Sequence, residues 1–294
     1  MRELKSEILL ILTGAKDSVA SPGAEAERIL LHVLSQTRPE LDSFGKLYLF
    51  DPVPTSAERN WAIHLARDRA QGIPLQHLLG YQTFMDRDYS VNGATLIPRP
   101  ETEILVAACE EWILQNQGRA SFRFAELGLG TGVISCELLV RFPGASGIAT
   151  ETSAAAIELA ESNLSRWCGS GWSERLRILP VSQDQGFGPF EPLAPFTLLV
   201  SNPPYVSRND EIESGVLLHE PASALFPWNN DPGFFYADFI SRAKRLMAPG
   251  GAAFFEIPHE RAHLLEAGFQ KSGAKRVSLI PDLTGRPRVL RAEF

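Results

Sequence analysis

Phe124-Ala-Glu-Leu-Gly-Leu-Gly-Thr-Gly-Val133 leaves an apolar, strand-prone run and enters a helical one, Val133-Ile-Ser-Cys-Glu-Leu-Leu-Val-Arg-Phe142. Glycine has no Cβ, so the backbone between the two runs can turn sharply and lie close against a ligand. The alternation Gly128, Gly130, Gly132 does not fit the Gly-x-Gly-x-x-Gly of dinucleotide-binding turns. Glu126, two residues ahead of the first glycine, adds a negative charge that would repel a pyrophosphate. The same charge suits an ammonium, such as that of the methionine part of S-adenosylmethionine. Three glycines in so short a loop are more than a bare corner requires, which favours a ligand loop.

Outward from this loop, strand-like and helix-like patterns alternate. Candidate strands are 123–127, 146–151, 176–181, 196–202, 251–257 and 276–281, with helical patterns between most of them. This alternation predicts an α/β fold with a mostly parallel sheet covered by helices on both faces. In such sheets ligands bind beyond the carboxyl ends of the strands. The second candidate strand ends at Glu151, whose carboxylate can take both hydroxyls of a ribose. After the third comes Val181-Ser-Gln-Asp184, where Asp184 is the expected contact for an adenine amino group, with Gln183 an equally sensible donor and acceptor.

The fourth candidate strand runs straight into Asn202-Pro203-Pro204-Tyr205. A primary amide or aromatic amine is a poor nucleophile, because its lone pair is delocalised. Aiming such a nitrogen requires acceptors for its N–H bonds. The Asn202 side-chain oxygen and the Pro203 carbonyl can each accept one. Pro203 and Pro204 fix φ and stiffen the loop, and Tyr205 offers an aromatic wall for a planar group. By itself the motif does not distinguish adenine N6, cytosine N4 and glutamine Nε2.

The 294 residues are 44% hydrophobic and 21% charged, as in ordinary globular proteins. A net charge of −7 argues against a protein whose main task is gripping nucleic acid. No apolar run reaches membrane-spanning length, and the start reads as an amphipathic helix. Cys109, Cys136 and Cys168 lack metal-ligand spacing and read as reduced cytosolic thiols, and the scattered histidines predict no metal. Residues 1–80 read as a helical domain, with Ile29, Leu30, Val33 and Leu34, then Trp61, Ile63, Leu65 and Ala66, at helical spacing. A loop carrying Pro39, Pro52 and Pro54 separates the two patterns. Residues 81–98 read as a β-hairpin linker turning at Asn92-Gly93, and 99–294 as the α/β domain.

Several stretches together resemble the HemK/PrmC-type peptide chain release factor glutamine N5-methyltransferases, over nearly the whole chain. They are Gly72-Ile-Pro-Leu-Gln-His-Leu-Leu-Gly-Tyr-Gln-Thr-Phe84, Leu96-Ile-Pro-Arg-Pro-Glu-Thr-Glu103, the glycine loop, Val200-Ser-Asn-Pro-Pro-Tyr205, His219-Glu-Pro-Ala-Ser-Ala-Leu225 and Asp282-Leu-Thr-Gly-Arg-Pro-Arg-Val289. The 96–103 stretch also separates this family from DNA amino-methyltransferases that share Asn-Pro-Pro-Tyr. The resemblance implies a Rossmann-like, seven-stranded class I methyltransferase domain preceded by a helical substrate-docking domain. It implies methyl transfer from S-adenosyl-L-methionine, leaving S-adenosyl-L-homocysteine, to the glutamine of the Gly-Gly-Gln motif of class 1 release factors in the cytoplasm. A direct nucleic-acid substrate and a membrane are not expected, and a monomer is the default.

By the same resemblance Glu126, Gly128, Gly130, Thr131, Gly132, Glu151, Asp184 and Asn202 hold the cofactor. Asn202, Pro203, Pro204 and Tyr205 form the catalytic loop and hold the glutamine, with Arg99 and Glu101 beside them. The family usually carries aspartate where Glu126 and Glu151 stand, and a glycine-rich segment where this chain has Phe226-Pro-Trp-Asn-Asn-Asp-Pro-Gly233.

Overall fold

The computed structural model describes residues 1–15, 19–117, 120–210, 212 and 214–294. The chain divides into two compact units, Met1–Tyr81 with Ile212–His219, and Gln82–Glu211 with Glu220–Phe294.

The first unit contains α1 (Arg2–Gly14), α2 (Pro22–Thr37), α3 (Phe44–Phe50), α4 (Ser56–Ala70) and α5 (Leu75–Leu79). Apolar residues three and four apart put one stripe of each long helix inside. Leu4, Ile8 and Leu12 meet Ile29, Leu30 and Val33 and, from α4, Ala62, Leu65 and Ala66. Trp61 departs from the expected pattern. It lies off that stripe, is 36% exposed, and sets its ring edge-on to His32. The start of α4 is closed by a reciprocal cap, Thr55 accepting from the Glu58 N–H and Glu58 from the Thr55 N–H. Helix α3 occupies the stretch read as loop. Only Leu47 of its seven residues is buried.

A hairpin follows, β1 (Tyr81–Phe84) and β2 (Arg87–Ser90). Its turn is Met85-Asp86, both left-handed at φ 48° and 66°, and not Asn92-Gly93 as the sequence suggests. Glu103 accepts the Met85 N–H at 3.0 Å and helps hold this turn. Asn92 instead closes a short turn on the Ala94 N–H at 2.9 Å. Long-range contacts thus outweigh the local preference.

Then come α6 (Pro100–Asn116), β3 (Phe122–Leu127), α7 (Val133–Arg141), β4 (Ala145–Glu151), α8 (Ala154–Cys168), β5 (Leu176–Pro180), β6 (Phe196–Ser201), α9 (Ser214–His219), α10 (Ala222–Leu225), α11 (Phe234–Leu246), β7 (Met247–Glu256), α12 (Ala262–Phe269), β8 (Arg276–Pro281) and β9 (Pro287–Glu293). The sheet order is β5-β4-β3-β6-β7-β9-β8. All strands run parallel except β9, which is antiparallel to both of its neighbours. Strand β9, with two arginines and no apolar run, escaped the list of candidate strands.

The central strands are buried on both faces. Phe124, Leu198, Val200, Ala252 and Phe254 join one core with α6 and α7. Ala125, Leu127, Leu199, Ala253 and Phe255 join the other with α11 and α12. This period-two division is the pattern of a sheet sandwiched between helix layers. The chain adds β4 and β5 on one side of β3 and β6 and β7 on the other, so the connections leaving the parallel neighbours β3 and β6 diverge and open a crevice. Among the described residues no helix is long and apolar enough to cross a membrane.

Candidate active site

Both site loops leave adjacent strand ends. Glu126 and Leu127 of β3 lie in register with Val200 and Ser201 of β6, so Gly128 and Asn202 leave the sheet at the same level, and Glu126 and Asn202 line one cavity. The Ser201 hydroxyl ties the two strand ends by donating to the Leu127 carbonyl at 2.8 Å. Between the loops is a cavity of about 950 Å³, including the part continuous with solvent.

Glu126, Gly128, Gly130, Thr131, Glu151, Asn202 and Pro204 all line this cavity. Gly128 and Gly130 have φ of 81° and 54°, and a Cβ on either would point into open space. These are positions where backbone is left bare toward a ligand. Gly132 does something else. It lies outside the lining, begins α7 at φ 79°, and a Cβ there would come within 3.2 Å of the Ala160 Cβ. Its role is close packing of α7 on α8. That packing is reinforced by buried Asn163 of α8, which donates to the Thr131 carbonyl at 3.0 Å and exchanges two hydrogen bonds with Ser90 of β2.

Glu126 is fully buried. One carboxylate oxygen takes the Ser135 hydroxyl, and the other has no partner. Burial pushes its pKa up to about 8, against the Ser135 hydrogen bonds and with help from the Glu151 charge. The Thr95 hydroxyl, on the same cavity wall, is likewise buried without a partner. Two unmatched buried polar groups around one cavity are what a polar ligand would satisfy, and two carboxylates favour a cationic one. Glu151 is largely occupied: its Oε1 accepts from the Thr152 and Ser153 N–H groups at 2.7 and 3.0 Å, and its Oε2 from Gly130 at 2.9 Å. Oε2 keeps a lone pair for a further donor.

Asp184 does not line the cavity. It is exposed and turned back on the Ser182 hydroxyl. Gln183 lines the wall in its place, its amide nitrogen donating to the Ser223 carbonyl at 2.5 Å and its oxygen left to accept. Arg99 and Glu101 also lie off the lining. Arg99 donates to buried Glu220 at 2.5 Å, and Glu220 in turn accepts the Ile97 N–H at 3.0 Å, so this pair anchors the 97–99 backbone.

The Asn202 side chain faces the cavity, with Nδ2 donating to the Thr102 hydroxyl at 3.2 Å. Thr102, buried on α6, donates to Glu256 Oε2 at 2.7 Å. Tyr205 and Pro203 sit behind the lining, and the Tyr205 hydroxyl donates to Glu256 Oε1 at 3.1 Å. Among the described residues nothing donates to Asn202 Oδ1, so an acceptor is left on the cavity wall beside Pro204.

No family model matches the chain. A release factor glutamine methyltransferase of Bordetella pertussis is 35% identical over 288 residues, 95% of this chain and 98% of that protein. The chain belongs to the release factor glutamine methyltransferases. A second member, from Xylella fastidiosa, is 32% identical over 96% of both chains. Of solved structures, a METTL16 methyltransferase domain aligns at a TM-score of 0.50 and 15% identity over 81% of this chain and 80% of that one, a likeness of fold. In this release factor glutamine methyltransferase, Thr95 and Thr102 on the cavity wall and Glu256 behind Thr102 had no role in the reading of the sequence, whereas Gln183 was its alternative to Asp184. Thr102 stood inside the quoted 96–103 stretch without a role. Glu256 closes an apolar strand, where an acid is out of place and could have been the signal.

Proposed function

We propose that this methyltransferase transfers a methyl group from S-adenosylmethionine to N5 of the glutamine in the Gly-Gly-Gln motif of class 1 peptide chain release factors, leaving S-adenosylhomocysteine. The observation that carries the reading is the Asn202 amide, anchored through its nitrogen so that Oδ1 is the end offered to the cavity. When bound, S-adenosylmethionine supplies an electrophilic methyl group on a sulfonium. Its ammonium suits the unpartnered oxygen of Glu126, its backbone-lined middle the bare Gly128–Thr131 loop, its ribose Glu151, and its adenine amino group Gln183.

Asn202 Oδ1 and the Pro203 carbonyl accept the two N–H bonds of the glutamine amide and turn its nitrogen toward the cavity. Pro203 and Pro204 hold these acceptors at fixed spacing, so orientation is settled before reaction. Tyr205, locked by its bond to Glu256, backs the planar amide. Arg99, held on Glu220, and Glu101 belong to the substrate side of the loop. Both acceptors on the amide are neutral, so they orient the nitrogen without deprotonating it. Its proton leaves after methylation, when the nitrogen is most acidic.

The helical unit is the release-factor docking domain in this reading, and it carries exposed Leu49, Phe50 and Val53, 77, 62 and 82% accessible. The net charge of −7 supports a protein rather than a nucleic acid as substrate. The enzyme works as a cytoplasmic monomer. The test is label transfer from methyl-labelled S-adenosylmethionine to a purified class 1 release factor. Label is expected on the intact factor and lost when the Gly-Gly-Gln glutamine is replaced by alanine. Label persisting on that variant, or appearing only in added DNA or RNA, overturns the assignment.

A further inference from the structure

The two ends of the Asn202 amide are nearly equal in shape and opposite in character. Turned by half a rotation, the side chain would meet a substrate NH₂ with its own NH₂, donor against donor. What selects the productive rotamer is a chain of two hydrogen bonds, from Asn202 to Thr102 and from Thr102 to Glu256. The Thr102 hydroxyl has one hydrogen, and it points at Glu256 Oε2, 2.7 Å distant. Having given that hydrogen, the hydroxyl can only accept, so the atom of Asn202 that faces it at 3.2 Å has to be Nδ2. Glu256, as a carboxylate, is an acceptor only, and its second oxygen takes the Tyr205 hydroxyl. It is 1% exposed and does not line the cavity.

We propose that Glu256, acting through Thr102, is a positioning residue that keeps Asn202 Oδ1 turned toward the substrate amide. The inference rests on the reading of Asn202 given above. It explains why an acid stands at the end of an otherwise apolar strand, where an aliphatic side chain would pack at no desolvation cost. It also carries a pH dependence. Burial pushes Glu256 up to about 7, against the bonds from Thr102 and Tyr205. Glu101 on α6 raises it further and Arg288 on β9 opposes, while Tyr236 of α11 donates only to its backbone carbonyl at 2.9 Å. A protonated Glu256 has a hydrogen of its own. On Oε2 that hydrogen goes to Thr102, whose hydroxyl then turns to Asn202 and favours the reversed amide. The productive rotamer is therefore held above about pH 7 and released below it.

The side-chain amide signals of Asn202 in ¹⁵N-labelled enzyme, identified by their loss in Asn202→Asp, test this without substrate. In the wild type they should titrate with a midpoint near 7, the value for Glu256. The titration should vanish in Glu256→Gln and in Thr102→Val, and return in Thr102→Ser. Asn202 signals that are unchanged in Glu256→Gln and Thr102→Val overturn the proposal. In methyl transfer to the release factor, Thr102→Val should lower kcat by roughly 10–100-fold, with the Kd of S-adenosylmethionine unchanged and Thr102→Ser near wild type. Equal losses in the Val and Ser variants would mean packing rather than positioning. A wild-type enzyme that methylates no release factor would sink the proposed function, while the spectroscopic outcome would still decide the role of Glu256.

Discussion

Glu126 is a carboxyl group that folding forces to stay protonated. Its pKa rises from 4.5 to about 8 on burial, so between those values the folded chain binds a proton that the unfolded chain has lost. Stability therefore falls as pH rises from about 4.5 to about 8 and levels off above. Glu126→Gln should flatten this slope, raising the melting temperature at pH 8 more than at pH 5, while S-adenosylmethionine binding is lost. Equal thermal shifts at both pH values would contradict the burial argument. An ammonium arriving beside Glu126 ionises it, so cofactor binding at pH 7 should release a proton, seen by calorimetry in buffers of differing ionisation heat. Asn202→Ala should reduce kcat by on the order of 10²-fold, with little change in cofactor Kd. The sequence made Glu126 and Asn202 legible because each closes an apolar strand. Asp184 was misread for a different reason: it and Gln183 are neighbours of similar chemistry, and only the direction of the chain decides which one faces the cavity.

Between elements, the glycine loop owes its shape to a buried amide on α8. Asn163 makes three hydrogen bonds, two to Ser90 of the hairpin and one to Thr131 of the loop. Asn163→Ala would strand the Ser90 N–H and two carbonyls, costing about 2–3 kcal/mol. The expected outcome is a lower denaturant midpoint together with weaker cofactor binding. Loss of stability with cofactor affinity intact would show that the loop holds itself. At this scale the sequence was partly legible. Strands that alternate with helices could be placed from their apolar runs. The hairpin turn could not, because Met85 is a poor left-handed residue held there by contacts such as that with Glu103, eighteen positions away. Gly132 shows a related limit: spacing marks a glycine, but only packing on Ala160 shows that it serves a neighbouring helix.

For the molecule as a whole, each unit holds a carboxylate that acid disarms, Glu58 in the helical unit and Asp282 in the α/β unit, both lowered to about 2. Glu58 is pushed up by burial, yet hydrogen bonds from Thr37, Thr55 and Arg38 bring it down to about 2 from 4.5. Its contribution is complete above pH 4.5 and disappears as pH falls through about 2. Glu58→Gln should therefore destabilise the helical unit at pH 7 and make little difference near pH 2, measured by hydrogen exchange in α4. A constant difference across that range would point to packing instead. The change of apolar period along the chain is the signal for a helical part ahead of an α/β part, and no such signal marks Ile212–His219, which groups with the helical unit. The insertion of β9 between β7 and β8 was not legible, since strand order depends on pairings no local pattern records.

That insertion has a consequence for how the protein comes together. Until β9 docks, β7 offers an open edge along Ala252-Ala-Phe-Phe255, an uncharged run of high strand propensity. β8 cannot cover that edge, because it pairs only with β9. A chain whose β9 is undocked therefore leaves a strand-pairing template bare, to which other chains can add. Leu290→Pro, which blocks docking midway along β9, should yield insoluble aggregates at elevated temperature instead of a soluble, inactive enzyme.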